Sequence, residues 1–229
     1  MKKTELIQEI REAAIIAIIR GVEHEKLPPL LDALAAGGIR FAEITFDQTG
    51  RTSGEETAQS IAELKKHMAG RMHIGAGTVM TVGQADRAMT AGAEFLISPN
   101  VNPEVIRHTV AAGCVSIPGA MTPTEAAVAY ESGADFVKLF PADTLGLSYI
   151  KALMAPLSHI PFLAVGGVNE RNIGDFLATG LAGVGVGSAL TPKDRIAAGD
   201  FEAISKMAKR YTDAAFTAQK FQSESELKS

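Results

Sequence analysis

A lysine stands in the middle of the apolar run DFVKLF (135–140), and a glutamate in the middle of FAEIT (41–45). Side chains alternate along a strand, so Phe136, Lys138 and Phe140 share one face while Val137 and Leu139 share the other. Apolar surroundings disfavour an ammonium and pull a lysine pKa below its ordinary ~10.4. A lysine that is partly neutral near neutral pH is a nucleophile towards carbonyl carbon. Glu43 has Thr45 on its own side and Ala42 and Ile44 opposite. It supplies either a counterion or a proton carrier, because a carboxyl tuned upward by burial is a competent acid and base. Read without chemistry, the same residues form a buried ion pair, with Glu43 partnering Lys138 or Arg20.

Two further polar residues close apolar runs. Arg20 ends IIAIIR (15–20) and presents two parallel donors to a carboxylate. Thr78 ends GAGT (75–78) and brings a hydroxyl. Late in the chain the runs end in glycine: FLAVGG at Gly166 and Gly167, then GVGVGS at Gly185, Gly187 and Ser188. Backbone N–H groups freed at adjacent strand ends bind phosphate without any lysine or arginine. Glycines also simply close strands, so the expectation rests on two clusters occurring together. No metal site is expected, since His24, His67, His73, His108 and His159 form no ligand-spaced cluster. His73, alone on a strand, reads as a packed and hydrogen-bonded side chain. No nucleotide P-loop is present.

These residues must be held by something. Eight β-branched or apolar runs recur, at 15–20, 39–45, 72–77, 94–98, 114–117, 135–140, 162–167 and 183–188. Between and after them lie helical patterns near 24–37, 54–69, 81–91, 102–112, 123–132, 148–154, 169–179 and 199–218. Thr81 with Gln84 and Thr122 with Glu125 fit capping boxes, and Asn102 followed by Pro103 is another helix start. Helix stops carry glycine, as in AAGG (35–38) and ESGAD (131–135). Several runs have no polar side, as expected of parallel strands covered on both faces. The pattern predicts an α/β fold, a closed single-domain (β/α)8 TIM barrel over residues 1–218, with an open doubly wound sheet as the rival. Lys138 then faces the barrel axis on strand six, near the C-terminal rim where such barrels carry their sites. Residues 4–12 predict a short N-terminal helix with Leu6, Ile7 and Ile10 inward, covering the barrel bottom. In the last helix Phe201, Ile204, Met207, Tyr211 and Ala215 follow the helical period and read as core. Residues 219–229 are polar and expected to fray.

Composition excludes several classes. The net charge of −4 gives no basic footprint for nucleic acid or anionic lipid. No run reaches the roughly 18–20 apolar residues that cross a bilayer, and the N-terminus lacks the apolar run of a secretory signal. A single cysteine, Cys114, forms no intrachain disulfide. The expectation is a cytoplasmic protein without membrane or nucleic-acid partners.

In order, the motifs AIIR (17–20), EIT (43–45), GAGTV (75–79), SPN (98–100), PGAMTPTEA (118–126), VKLFPA (137–142), GGVN (166–169) and GVGSAL (185–190) resemble one family. It is that of the pyruvate-dependent aldolases acting on 2-keto-3-deoxy-6-phosphogluconate and 4-hydroxy-2-oxoglutarate, and the likeness covers residues 10–192. The resemblance implies a class I lyase mechanism with no cofactor. Lys138 corresponds to the Schiff-base lysine and Glu43 to the glutamate that moves the C4 hydroxyl proton and helps protonate the enamine. Arg20 and Thr78 match positions that hold the pyruvate carboxylate, and Phe140 and Pro99 match the pocket wall. Gly166, Gly167, Gly187 and Ser188 match the phosphate site for the departing glyceraldehyde 3-phosphate. A homotrimer is implied as well.

Two departures from the family pattern bear on the substrate. Asp47 stands where many relatives carry arginine, and Ala164-Val165 where many carry Pro-Thr. Asp47 either disfavours phosphorylated substrates or points away while Arg51 swings in. The Ala-Val version resembles the branch acting on 2-keto-3-deoxy-6-phosphogalactonate, whereas EIT on strand two does not. The polar loop 46–54 is expected to select the substrate. Competing readings are another phosphate-binding barrel enzyme and a non-catalytic sugar-acid-binding relative.

Overall fold

The computed structural model describes residues 2–226, with side chains described for residues 2–220. Nine parallel strands lie among them: β1 (Ile15–Ile19), β2 (Phe41–Thr45), β3 (His73–Gly77), β4 (Phe95–Ile97), β5 (Val115–Ile117), β6 (Gly119–Ala120), β7 (Val137–Leu139), β8 (Phe162–Val165) and β9 (Gly183–Val186). Their order in the sheet is β5-β4-β3-β2-β1-β9-β8-β7-β6. The two ends of that order, β5 and β6, are separated in the chain by Pro118 alone.

That proline makes nine strands of the eight expected. It has no N–H to give to a ladder. The segment before it pairs with β4 (Phe95↔Val115), and the segment after it pairs with β7 (Gly119↔Lys138). Its carbonyl still accepts the Lys138 N–H at 2.8 Å. The bent fifth strand therefore touches both neighbours, and the sheet closes into a barrel. An open doubly wound sheet is ruled out. Strand six of the sequence reading is β7, strand seven is β8 and strand eight is β9.

Alternation along each strand sorts the apolar side chains into two layers. Ile16, Phe41, Phe95, Val115, Phe136 and Leu163 form a cluster inside the barrel. Val137, Leu139, Ala42, Ile44, Ile74 and Val184 belong to the outer cluster with helix residues such as Leu30, Leu34 and Ile61. The inner cluster includes Leu6 and Ile10 of α1 (Lys3–Ala13), 5% and 1% exposed, with Ile7 packed at its edge. Burying two such side chains stabilises by roughly 1.5–3 kcal/mol each. Arg11 of the same helix lies over the Phe136 ring at 5.4 Å. The N-terminal helix thus plugs the bottom, as its pattern predicts.

The helices are α2 (Leu27–Ala36), α3 (Gly54–His67), α4 (Val82–Thr90), α5 (Pro103–Ala111), α6 (Pro123–Glu131), α7 (Ala142–Met154), α8 (Ile173–Leu177), α9 (Lys193–Ala198) and α10 (Phe201–Glu226). Thr122 and Glu125 form the reciprocal capping box expected. At α4 the Thr81 hydroxyl accepts from Gln84 N, but the Gln84 side chain reaches back to Met80 N rather than Thr81 N. Several boundaries differ from expectation. A 3-10 turn (His24–Lys26) precedes α2. Helix α7 begins earlier than 148 and breaks at Gly146, which has φ 74 and ψ 158. The pattern at 169–179 yields only the five-residue α8, because the chain there is held by side-chain bonds described below. The last helical pattern, 199–218, corresponds to α10, and a further short helix, α9, precedes it and ends at left-handed Gly199.

In α10, Ile204, Tyr211 and Ala215 are at most 2% exposed, and Phe201 and Met207 pack at the core edge. That stripe is core. The helix continues through Glu226, beyond the end at 218 read from its composition. Gln219 Nε2 donates to the Arg11 carbonyl at 2.9 Å, a tie to α1 that composition does not reveal. Residues 227–229 of the expected frayed tail lie outside the described residues.

Candidate active site

Lys138 sits at the centre of β7, between Val137 and Leu139, which are both wholly buried in the outer layer. It is 7% exposed and lies in the electrostatic field of Glu43, itself 1% exposed on β2. Burial pushes the Lys138 ammonium pKa down, the Glu43 charge pushes it back up, and Arg20 pushes it down again. The net direction is down. Burial pushes the Glu43 carboxyl up, and Lys138 and Arg20 only partly offset it. Each group is moved towards its neutral form.

The ion-pair alternative is not what the geometry gives. Among the described residues no direct ion pair joins Glu43 to Lys138 or to Arg20, and Glu43 Oε2 is buried without a hydrogen-bond partner. Leaving a buried acceptor unmade costs about 1–3 kcal/mol. A carboxyl that carries its own proton, or waits for a donor, fits that position. Room for it comes from Gly77 on β3, where a methyl group would lie 2.4 Å from Glu43 Oε1.

At the rim, Arg20 Nη2 donates to Thr78 Oγ1 at 3.0 Å. Thr78 has φ 58, a left-handed conformation that a β-branched residue rarely adopts. Such strain costs about 1–3 kcal/mol and persists where surrounding bonds impose it. Here Gln48 Nε2 donates to the Thr78 carbonyl at 3.2 Å, and Val79 N donates to Ile97 O at 3.1 Å. Phe140 follows Lys138 on the same face, its ring centroid 4.8 Å from Nζ. The ring remains 38% exposed at the mouth. Pro99 is half-buried and packs against Gly119, the register partner of Lys138; a methyl at Gly119 would lie 2.6 Å from the Pro99 carbonyl.

The two departures find their places. The Asp47 carboxylate accepts from Thr49 N (3.0 Å), Thr49 Oγ1 (2.8 Å), Arg51 N (2.7 Å) and Thr52 N (3.1 Å). Those bonds, led by the Thr49 amide and hydroxyl, hold its pKa at about 2. Asp47 therefore organises its own loop. Ala164 belongs to the outer layer. Val165 faces inward, where a methyl on the neighbouring Gly185 would meet it at 2.8 Å and Ile18 at 3.2 Å. The barrel interior is apolar at that position.

Gly166 and Gly167 follow β8, and Gly187 and Ser188 follow the adjacent β9. Both β8 glycines have positive φ, 99 and 70. Sequence reasoning passed over Gln48, which holds Thr78, and over Asp143, Asn169 and Asn172, which hold the β8 turn. Gln48 and Asn169 lie in motifs already singled out, but nothing in the chain order shows which carbonyl each would bind.

The remaining candidates settle elsewhere. His73 Nδ1 and Nε2 each lie 3.1 Å from a carboxylate, of Glu94 and Glu9 respectively, and its ring stacks on Phe41 at 4.8 Å. It ties α1 to the barrel bottom, the packed role expected. Cys114 is buried, and desolvation pushes its thiol up to about 12. Among the described residues no helix is long and apolar enough to cross a membrane.

Residues 6–207 match the family model described as KDPG and KHG aldolase. A Rhizobium meliloti (strain 1021) protein named "Probable 2-dehydro-3-deoxy-6-phosphogalactonate aldolase" is 40% identical over 190 residues, 82% of this chain and 86% of the relative. A Treponema pallidum (strain Nichols) protein named 2-dehydro-3-deoxy-phosphogluconate aldolase is 35% identical over 206 residues, 90% of this chain and 95% of the relative. The crystal structure of KDPG aldolase from Legionella pneumophila, with pyruvate captured as a covalent carbinolamine, matches with a TM-score of 0.80 and 28% identity. That match covers 91% of this chain and 97% of the other. With the family model spanning nearly the whole barrel and relatives this similar along most of its length, the protein belongs to the KDPG and KHG aldolase family.

Proposed function

We propose that this protein is a class I aldolase that reversibly cleaves a 2-keto-3-deoxy-6-phospho sugar acid, of gluconate or galactonate type, to pyruvate and glyceraldehyde 3-phosphate. The same chemistry takes 4-hydroxy-2-oxoglutarate to pyruvate and glyoxylate. Lys138 carries the reading: an amine 7% exposed, with its pKa lowered, in the field of a carboxyl whose pKa is raised. Relatives named for both sugar acids, and one that holds pyruvate as the adduct of an amine with a ketone, support it.

Neutral Lys138 attacks the C2 ketone, and the neutral Glu43 carboxyl gives its proton to the carbinolamine hydroxyl, which leaves as water and yields a protonated imine. Glu43, as carboxylate, takes the C4 hydroxyl proton. The C3–C4 bond breaks, its electron pair moves into the imine as an enamine, and C4 leaves as the aldehyde. Glu43 then returns its proton towards C3, and water hydrolyses the imine to free pyruvate and Lys138. A carboxyl raised by burial suits both directions of proton transfer. Arg20 and Thr78, already bonded to each other, receive the C1 carboxylate. Phe140 and Pro99 wall the mouth against early entry of water. The glycine ends at Gly166, Gly167, Gly187 and Ser188 receive the phosphate.

Incubation with pyruvate and borohydride tests this. A reduced pyruvyl adduct on Lys138 is expected, whereas another phosphate-binding barrel enzyme has no need of an imine. Unmodified protein under conditions that trap a control aldolase would refute the proposal. The family resemblance also leads us to expect a cytoplasmic homotrimer; light scattering of the purified chain should give three times the 24.1 kDa monomer mass.

A further inference from the structure

The carbonyls of the turn after β8 are held from both sides by hydrogen bonds. The Gly166 carbonyl accepts the Asp143 N–H at 3.2 Å, from the segment that follows β7. The Gly167 carbonyl accepts two side-chain amides, Asn169 Nδ2 and Asn172 Nδ2, each at 3.0 Å. A carbonyl oxygen has two lone pairs, so Gly167 O is fully engaged. The two asparagines are locked in turn: Asn172 Oδ1 accepts Asn169 N at 2.7 Å, and Asn169 Oδ1 accepts Arg171 N at 3.0 Å. On its other side the turn leaves no room, since a methyl on Gly167 would lie 2.2 Å from Asp143 Cβ.

A trans peptide is planar, with its C=O and N–H pointing in opposite directions. The Gly166 carbonyl points towards β7, so the Gly167 N–H points towards β9, the other neighbour of β8, where Gly187 and Ser188 lie. The Gly167 carbonyl points towards the start of α8, so the Val168 N–H turns away from α8. The Gly167 N–H therefore faces the rim between β8 and β9, and the Val168 N–H faces away from α8.

We propose that Asn169 and Asn172 are positioning residues: they hold the Gly167 carbonyl so that the Gly167 and Val168 N–H groups receive a tetrahedral oxyanion, the phosphate of the substrate. This rests on the aldolase reading, which gives the glycine ends to the phosphate, and adds the residues that orient them. A merely structural role, starting α8, would make the same bonds but would not distinguish phosphorylated from phosphate-free substrates.

Kinetics separate the two. Neutral replacements, Asn172→Ala and the double Asn169→Ala/Asn172→Ala, introduce no charge. Losing the bonds that orient one or two amides should raise KM for the phosphorylated keto acid about tenfold. Turnover of 4-hydroxy-2-oxoglutarate and trapping of pyruvate, neither of which carries phosphate, should stay within about twofold, since a single weak or absent contact is all they lose there. Equal losses on phosphorylated and phosphate-free substrates, or no loss on the phosphorylated one, overturn the proposal.

The unaltered full-length protein offers a test that does not depend on the variants folding. Inorganic phosphate should shift the Gly167 and Val168 amide NMR signals and compete with the phosphorylated substrate. Signals unmoved at saturating phosphate overturn the proposal. Failure to trap pyruvate in the unaltered protein would count against the aldolase reading alone, because the amide signals report on the turn independently.

Discussion

Replacing Lys138 with alanine lowers the retro-aldol rate at least about a thousandfold, on the order of 4 kcal/mol of lost transition-state stabilisation. The size follows from what is removed. Without the amine there is no imine to accept the C3–C4 electron pair, and none of Arg20, Thr78 or Glu43 provides a comparable acceptor. The fold should survive the change. Lys138 is 7% exposed among apolar neighbours, and its removal takes away an amine whose charged form burial disfavours. Glu43 then loses the charge that held its pKa down, so its carboxyl stays neutral more readily. Retro-aldol rates measured by pyruvate release, alongside thermal melting, check both halves. Comparable rates in the two forms would make the lysine structural.

The Glu43→Gln variant separates proton transfer from imine formation. Loss of a positioned acid–base group lowers turnover by roughly a hundredfold to ten-thousandfold. Imine trapping should persist, because the amine remains. Its pH dependence should also move, in a direction the electrostatics determine. The Glu43 charge raises the Lys138 pKa, while burial and Arg20 lower it. Glutamine removes the one influence that favours the ammonium. The pKa of Lys138 therefore falls further, more of it is neutral at a given pH, and the rising limb of pyruvate trapping shifts to lower pH. Trapping rates across a pH series, compared with turnover, test the assignment. Unchanged turnover, or a limb displaced to higher pH, would remove Glu43 from this role.

Much of the barrel is legible in the chain because it depends on short-range periodicity. Alternation with period two already places Lys138 and Glu43 opposite Val137, Leu139, Ala42 and Ile44, and the layers follow it. The helix starts at Thr122 and Asn102 are local as well, since each cap lies within three residues of the amide it satisfies. Amphipathic spacing identifies Leu6 and Ile10 as buried before anything shows what buries them. The nearly continuous sequence likeness then carries the family.

What stayed hidden depends on groups brought together from distant parts of the chain. His73 and Glu9 meet across 64 residues, and Arg20 and Thr78 across 58. The strain at Thr78 exists only because Gln48 and the β4 end hold it. Asp47 looked like a misplaced charge near an anionic ligand until its loop folded back and supplied amides to it. Past the predicted run 114–117, Pro118 leads into a further short strand, β6, that pairs with β7 while β5 pairs with β4, which no local pattern records.

The amino-acid order by itself determined which side chains share a face, where helices start and stop, and that a lysine and a glutamate would be carried inward. Only the tertiary structure decided that those two are neither paired with each other nor solvated, and that the carbonyls after β8 are bonded by Asp143, Asn169 and Asn172. Face and cap follow from backbone geometry within a few residues. A pKa direction or the orientation of a peptide plane follows from the field and hydrogen bonds of partners that closure of the barrel brings together.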